Sequence, residues 1–181
     1  MMDPVQERSE VLGELEKAVV PLVSSMNLQF IPEKGAQIGY AIRGARDKNS
    51  VAAIDGRLTG KNGAVQTGGP CSFGSDDEVA RVILTIMKFD PRRRSAALLK
   101  FSSRALQVLD EDLFLECVKY DAAKAPQGIT TMDWGIASCC NDGVPDVIYS
   151  PGTRGANAVL ILLGEEPVDV ANNIIICSNR I

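Results

Sequence analysis

Gly68-Gly69-Pro70-Cys71-Ser72-Phe73-Gly74-Ser75 runs straight into Asp76-Asp77-Glu78-Val79-Ala80-Arg81. The stretch reads as a glycine-rich turn feeding an amphipathic helix, because Val79, Val82, Ile83, Ile86 and Met87 recur at helical spacing and Phe89-Asp90-Pro91 closes the run. The first amides of such a helix lack partners and sit at the positive end of its dipole, so the junction is suited to an anion. Three carboxylates already occupy it. Ser75 with Glu78 three residues on also reads as a capping box, and the acidic first turn favours the dipole without any ligand. A phosphate at Gly74 and Ser75 must therefore compete with Asp76, Asp77 and Glu78.

Working outward, Asp3 before Pro4 is an N-cap and first-turn pair. Val11, Leu12, Leu15, Val19, Leu22, Val23 and Met26 continue a helix to about Met26, with Pro21 as a kink. Strands are expected from Gln37 to Arg43 and Ser50 to Ile54. Asn62-Gly63 marks a hairpin between Arg57-Leu58-Thr59 and Ala64-Val65-Gln66. Further on, strands are expected at Ala97 to Phe101, Leu113 to Val118, Val144 to Tyr149 and Ala158 to Leu163. Helices are expected at Ser103 to Leu109, Thr131 to Cys140 and from Pro167 onward. Helices alternating with strands and hairpins give an α/β layered domain with a mixed sheet.

The 181 residues are enough for one well-buried core and too few for two comfortable ones, so one domain over residues 1–181 is expected. A net charge of −4 argues against nucleic-acid binding by phosphate neutralisation. The basic run Arg92-Arg93-Arg94 reads as a solvated turn. Without a signal peptide or a long apolar segment, a cytoplasmic protein with no membrane partner is expected. Five cysteines without C-x-x-C spacing indicate neither a disulfide framework nor a zinc site. The chain has no histidine, which removes Ser-His-Asp and Cys-His catalysis and histidine-ligated zinc.

Three glycine-bearing turns are placed to meet at strand ends, where α/β sheets collect ligands. They are Gly35 after Pro32-Glu33-Lys34, Gly68 to Ser75, and Gly152-Thr153-Arg154-Gly155. Glycine admits close approach of phosphate to backbone amides, and arginine adds a bidentate fork. Taken singly, each turn reads more readily as a plain loop than as a ligand contact, and no nucleotide fingerprint is present.

Taken in order, the blocks Ile31-Pro32-Glu33 with Gly35, Gly56-Arg57, Phe73-Gly74-Ser75, Val79-Ala80-Arg81, Phe89-Asp90-Pro91, Thr131-Met132-Asp133-Trp134-Gly135 and Pro145-Asp146-Val147-Ile148-Tyr149 resemble the ThiN family of thiamine-phosphate synthases. The resemblance covers almost the whole chain. It implies a three-layer α/β/α fold with a mixed, largely antiparallel sheet of the class II aldolase type. The reaction it implies joins hydroxymethylpyrimidine pyrophosphate to hydroxyethylthiazole phosphate, giving thiamine phosphate and pyrophosphate. The expected partners are these phosphorylated small molecules, and a homo-oligomer.

On that resemblance Arg57 is assigned to phosphate or pyrophosphate charge, with an ordinary hairpin surface arginine as the bland alternative. Arg81, Lys100 and the three glycine turns join it as phosphate contacts, and Asp76, Asp77 or Glu78 is expected to recruit Mg²⁺. Glu78 stands where the synthases carry a functional histidine, so a cation near phosphate becomes an anion. Leu98 replaces a polar asparagine, and Ser150 replaces an acidic residue. Two functions stay open: an active synthase, or a non-catalytic module that holds thiamine phosphate.

Overall fold

In this computed structural model, residues 3–152 and 158–181 are described. The Asp3 carboxylate accepts the Val5 amide at 3.0 Å, Pro4 fills the first turn, and helix α1 runs Pro4–Ser25 with Pro21 inside it. Strands β1 (Gln37–Ala41) and β2 (Val51–Ile54) pair antiparallel, Gly39 opposite Ala53. Strands β3 (Leu58–Lys61) and β4 (Ala64–Thr67) form a separate hairpin sheet. Its turn residues Asn62 and Gly63 both have positive φ, 53° and 76°, as the two-residue turn requires.

The next element departs from expectation. Cys71–Phe73, read as part of a turn, is strand β5 against β2, and helix α2 (Asp77–Phe89) follows it. The remaining elements are β6 (Ser95–Leu99), α3 (Ser103–Gln107), β7 (Cys117–Lys119), α4 (Thr131–Ser138), β8 (Val147–Ser150), β9 (Val159–Gly164) and α5 (Pro167–Ser178). The strand expected to start at Leu113 starts instead at Cys117. A π turn over Val108–Asp112 and a left-handed Phe114, φ 56°, take up the intervening chain.

The main sheet has the order β5-β2-β1-β6-β9-β8-β7, and among the described residues only β7 and β8 run parallel. Each central strand alternates between two cores. Ile38, Tyr40, Ala52, Ile54, Ala97, Leu99 and Leu160 face the layer of α1 and α5. Ala41, Val51, Ala53, Ala96, Leu98 and Ile161 face the layer of α2 and α4. Burial on both faces explains why β1 and β6 read as near-continuous apolar runs. The result is the expected three-layer α/β/α sandwich. Ile83 and Ile86 of α2 are fully buried against the sheet, each contributing about 1.5–3 kcal/mol.

The Arg92-Arg93-Arg94 run is not a solvated turn as a whole. Arg94 is buried, its guanidinium 4.7 Å from the Tyr40 ring centre and its Nε donating to the Ala41 carbonyl at 3.0 Å. Arg92 stays exposed beside Asp90. All five cysteines are free, and Cys139, Cys140 and Cys177 are buried. Among the described residues no helix is long and apolar enough to cross a membrane.

Candidate functional site

β1 and β9 begin, and β2, β6, β7 and β8 end, at the same edge of the main sheet. A cavity of about 290 Å³ opens there between α2 and α4. One wall is charged, made by Lys34, Arg57 and Glu78. The other is apolar and aromatic, made by Leu98, Leu99, Tyr120, Met132 and Val159.

Arg57 reaches this wall because Gly56 and Arg57, one residue beyond the end of β2, are consecutive left-handed residues, φ 78° and 64°. The turn is held by Gly68, whose amide donates to the Arg57 carbonyl at 2.8 Å. A Cβ on Gly68 would lie 2.6 Å from the Gly56 carbonyl oxygen. So the glycine-rich stretch acts first as a close backbone contact that sets the arginine's turn.

From there the guanidinium binds in four directions. Its Nε donates to Asp76 Oδ2 at 2.8 Å, its Nη2 to Asp76 Oδ1 at 3.3 Å and to Glu78 Oε1 at 3.3 Å, and its Nη1 to the Gly35 carbonyl at 3.4 Å. Lys34 Nζ donates to the other Glu78 oxygen at 2.7 Å. Two cations and two carboxylates thus form one closed row, Lys34, Glu78, Arg57, Asp76.

The reading of Arg57 as an ordinary surface arginine is therefore corrected. Its side chain is 14% exposed and that of Asp76 8%, so removing Arg57 strands a buried carboxylate, a change that costs several kcal/mol in comparable pairs. The capping box is corrected too. Asp76, not Ser75, caps α2, accepting the Val79 amide at 3.0 Å. Ser75 Oγ instead donates to the Ala53 and Ser72 carbonyls.

Gln37 completes the arrangement and is missed by sequence reasoning. Only 1% exposed, it donates to Asp76 Oδ2 at 3.0 Å and the Ile54 carbonyl at 2.8 Å, while its oxygen accepts the Ile38 and Ile54 amides. Burial opposes ionisation of Asp76. The hydrogen bonds from Val79 and Gln37 and the Arg57 cation outweigh it and hold the carboxyl below its ordinary value.

The other expected residues are spread more widely. Gly35, φ 96°, lies under Arg57. Gly74 donates its amide to the Val51 carbonyl and, with Ser75, does not line the cavity. Arg81 is ion-paired with Asp133 in an adjoining groove that shares Glu78 and Met132 with the cavity. Lys100 is exposed after β6, its amide tied to the Phe30 carbonyl. Gly152, φ 75°, turns after β8, and Thr153, Arg154 and Gly155 lie outside the described residues. Asp77 points to Lys48 at 3.2 Å while Asp76 is enclosed by Arg57 and Gln37. Among the described residues no three Asp, Glu, Cys or His side chains gather around a possible metal position.

The chain has relatives. The family model for thiamine-phosphate synthase ThiN matches residues 14–176. The chain belongs to the ThiN family. This ThiN domain is 29% identical over 170 residues to the bifunctional thiamine biosynthesis protein ThiDN of Methanocaldococcus jannaschii, covering 92% of this chain but only 40% of that protein. It is 28% identical over 149 residues to the thiamine-phosphate synthase ThiN of Methanothermobacter thermautotrophicus, 78% of each chain. The fold superposes on a solved C-terminal domain of phosphomethylpyrimidine kinase with a TM-score of 0.87, 28% identity, and 94% and 100% coverage. An l-fuculose-1-phosphate aldolase from Thermus thermophilus, 10% identical with a TM-score of 0.50 over 96% and 92% of the chains, shares the class II aldolase-type fold alone.

Proposed function

We propose that this ThiN domain is a thiamine-phosphate synthase-like module whose cavity takes hydroxymethylpyrimidine pyrophosphate and hydroxyethylthiazole phosphate. The observation that carries the reading is the pairing of walls. Arg57 and Lys34 stand on one wall, suited to phosphate oxygens, and the apolar surface from Leu98 to Met132 on the other is suited to aromatic rings. In the reaction, the thiazole nitrogen attacks the pyrimidine methylene, an N–C bond forms, and the C–O bond breaks with its electron pair leaving on pyrophosphate. No side chain needs to move a proton in that step, so a site without histidine can serve it by alignment and charge. Magnesium enters the proposal only as a counter-ion carried in by pyrophosphate, because Asp76 and Asp77 are engaged elsewhere.

One observation favours a second reading. Glu78 already neutralises the positive charge that Arg57 and Lys34 would offer to a leaving pyrophosphate. A wall so neutralised suits retention of thiamine phosphate, which carries a cationic ring, more than release of pyrophosphate. A coupled assay of thiamine-phosphate formation from both substrates, run beside calorimetric titration of thiamine phosphate, separates the two. Turnover supports the synthase. Tight product binding without turnover supports the holding module, and neither result discards both.

A further inference from the structure

Tyr120 is only 4% exposed, follows the last residue of β7, and lines the cavity opposite the charged row. Its backbone is fixed by a hydrogen bond from its amide to the Tyr149 carbonyl at 3.1 Å. Its ring is fixed twice more. Trp134 meets it edge-on, centroids 6.4 Å apart at 85°. Gly135 lies so close beneath that a Cβ there would overlap the ring. This accounts for the Trp134-Gly135 pair at the heart of α4: one residue props the phenol and the next makes room for it. Among the described residues no group hydrogen-bonds the phenol oxygen, and Tyr120 lines the cavity.

We propose that Tyr120 is a specificity-determining residue, a rigid phenol that hydrogen-bonds a nitrogen-bearing aromatic ring while the charged row holds that ligand's phosphate. The proposal rests on the reading of the cavity as a site for thiamine-type ligands and says which end of the ligand goes where. Burial, reinforced by Cys139 and Glu78, pushes the phenol up to about 12, so at neutral pH it remains a neutral group able both to donate and to accept. An aminopyrimidine offers the matching acceptor and donor on one edge. The Gly135 contact keeps the ring from turning away, so little freedom is lost on binding.

The test uses two probes on the whole chain: 4-amino-5-hydroxymethyl-2-methylpyrimidine for the ring end and inorganic pyrophosphate for the charged end. Tyr120→Phe is expected to weaken the pyrimidine about tenfold, the scale of one lost neutral hydrogen bond, while leaving pyrophosphate affinity and melting temperature unchanged. Gly135→Ala is expected to lower the melting temperature, and Gly135→Ala with Tyr120→Ala to recover part of it. Equal pyrimidine affinity in wild type and Tyr120→Phe, or equal loss for both probes, overturns the proposal. Wild type that binds pyrophosphate but not the pyrimidine overturns it while sparing the charged end, and wild type that binds neither overturns the cavity reading as well.

Discussion

Replacing Glu78 by histidine separates the two jobs its carboxylate performs. In the folded protein Glu78 joins Lys34 at 2.7 Å and Arg57 at 3.3 Å, and its side chain is 29% exposed. It does not cap α2, since Asp76 does. Losing two partly exposed ion pairs costs about 0–1 kcal/mol each, so a drop in stability of roughly 1 kcal/mol is expected, with the helix intact. The effect on an anionic ligand is larger. A phosphate oxygen on Arg57 would sit on the order of 4 Å from the Glu78 carboxylate, where like charges repel by about 4 kcal/mol at an effective dielectric of 20. Partial exposure reduces that to roughly 1–2 kcal/mol, or about a five- to thirtyfold gain in pyrophosphate affinity for Glu78→His. Calorimetry with pyrophosphate at fixed low salt reads the affinity, and the coupled assay reads turnover, which is expected to rise. If affinity is unchanged while stability falls by about 2 kcal/mol or more, Glu78 is a structural brace and the repulsion argument is wrong.

Asp76→Asn keeps a capping oxygen but removes the buried anionic partner of Arg57, so a loss of about 2–4 kcal/mol is expected in urea unfolding. Because the folded carboxyl sits below its ordinary value, the stability it contributes is full above the unfolded pKa near 4 and is lost as pH falls through the lower folded value. The wild-type acid limb below about pH 4 should flatten in Asp76→Asn, and an unchanged limb counts against the buried pair. Gly68→Ala is expected to disturb the Gly56-Arg57 turn and weaken pyrophosphate binding along with stability. A neutral effect on both would mean the close approach to Gly56 does not set Arg57. Burial pushes the thiols of Cys71, Cys140 and Cys177 up to about 11 and Cys117 to about 12. Labelling by a thiol reagent at about pH 8 should therefore be slow until denaturant is added, and fast native labelling would contradict the packing.

Local signals in the sequence survive in the structure. Asp3-Pro4 and Asn62-Gly63 are read correctly because each rests on bonds within four residues of itself. The Ser75-Glu78 box fails because better partners act at a distance. Lys34 and Arg57 take the Glu78 carboxylate from 44 and 21 residues away, and β2 claims the Ser75 hydroxyl through Ala53. Gln37 is invisible for the same reason: a polar residue at the mouth of an apolar strand looks like a strand end until Asp76 and Ile54 are brought to it. Tyr120 carries a weak signal, since it stands at a strand's carboxyl end where such sheets bind ligands. The family assignment rests on ordered blocks of mixed residues and not on any single turn. That is why it holds although Gly74 and Ser75 do not line the cavity.

The central claim, that the cavity between Arg57 and Tyr120 is the ligand site, is tested most directly by calorimetric titration of thiamine phosphate into wild type and into Leu98→Trp. Leu98 lines the cavity from the sheet and takes no part in the charged row's own bonds, so a bulky ring there fills the space without breaking Lys34, Arg57, Asp76 or Glu78. The account predicts saturable one-to-one binding to wild type and a loss of at least about tenfold in the folded variant. Undiminished binding to a folded Leu98→Trp variant, or no binding to wild type, would contradict it.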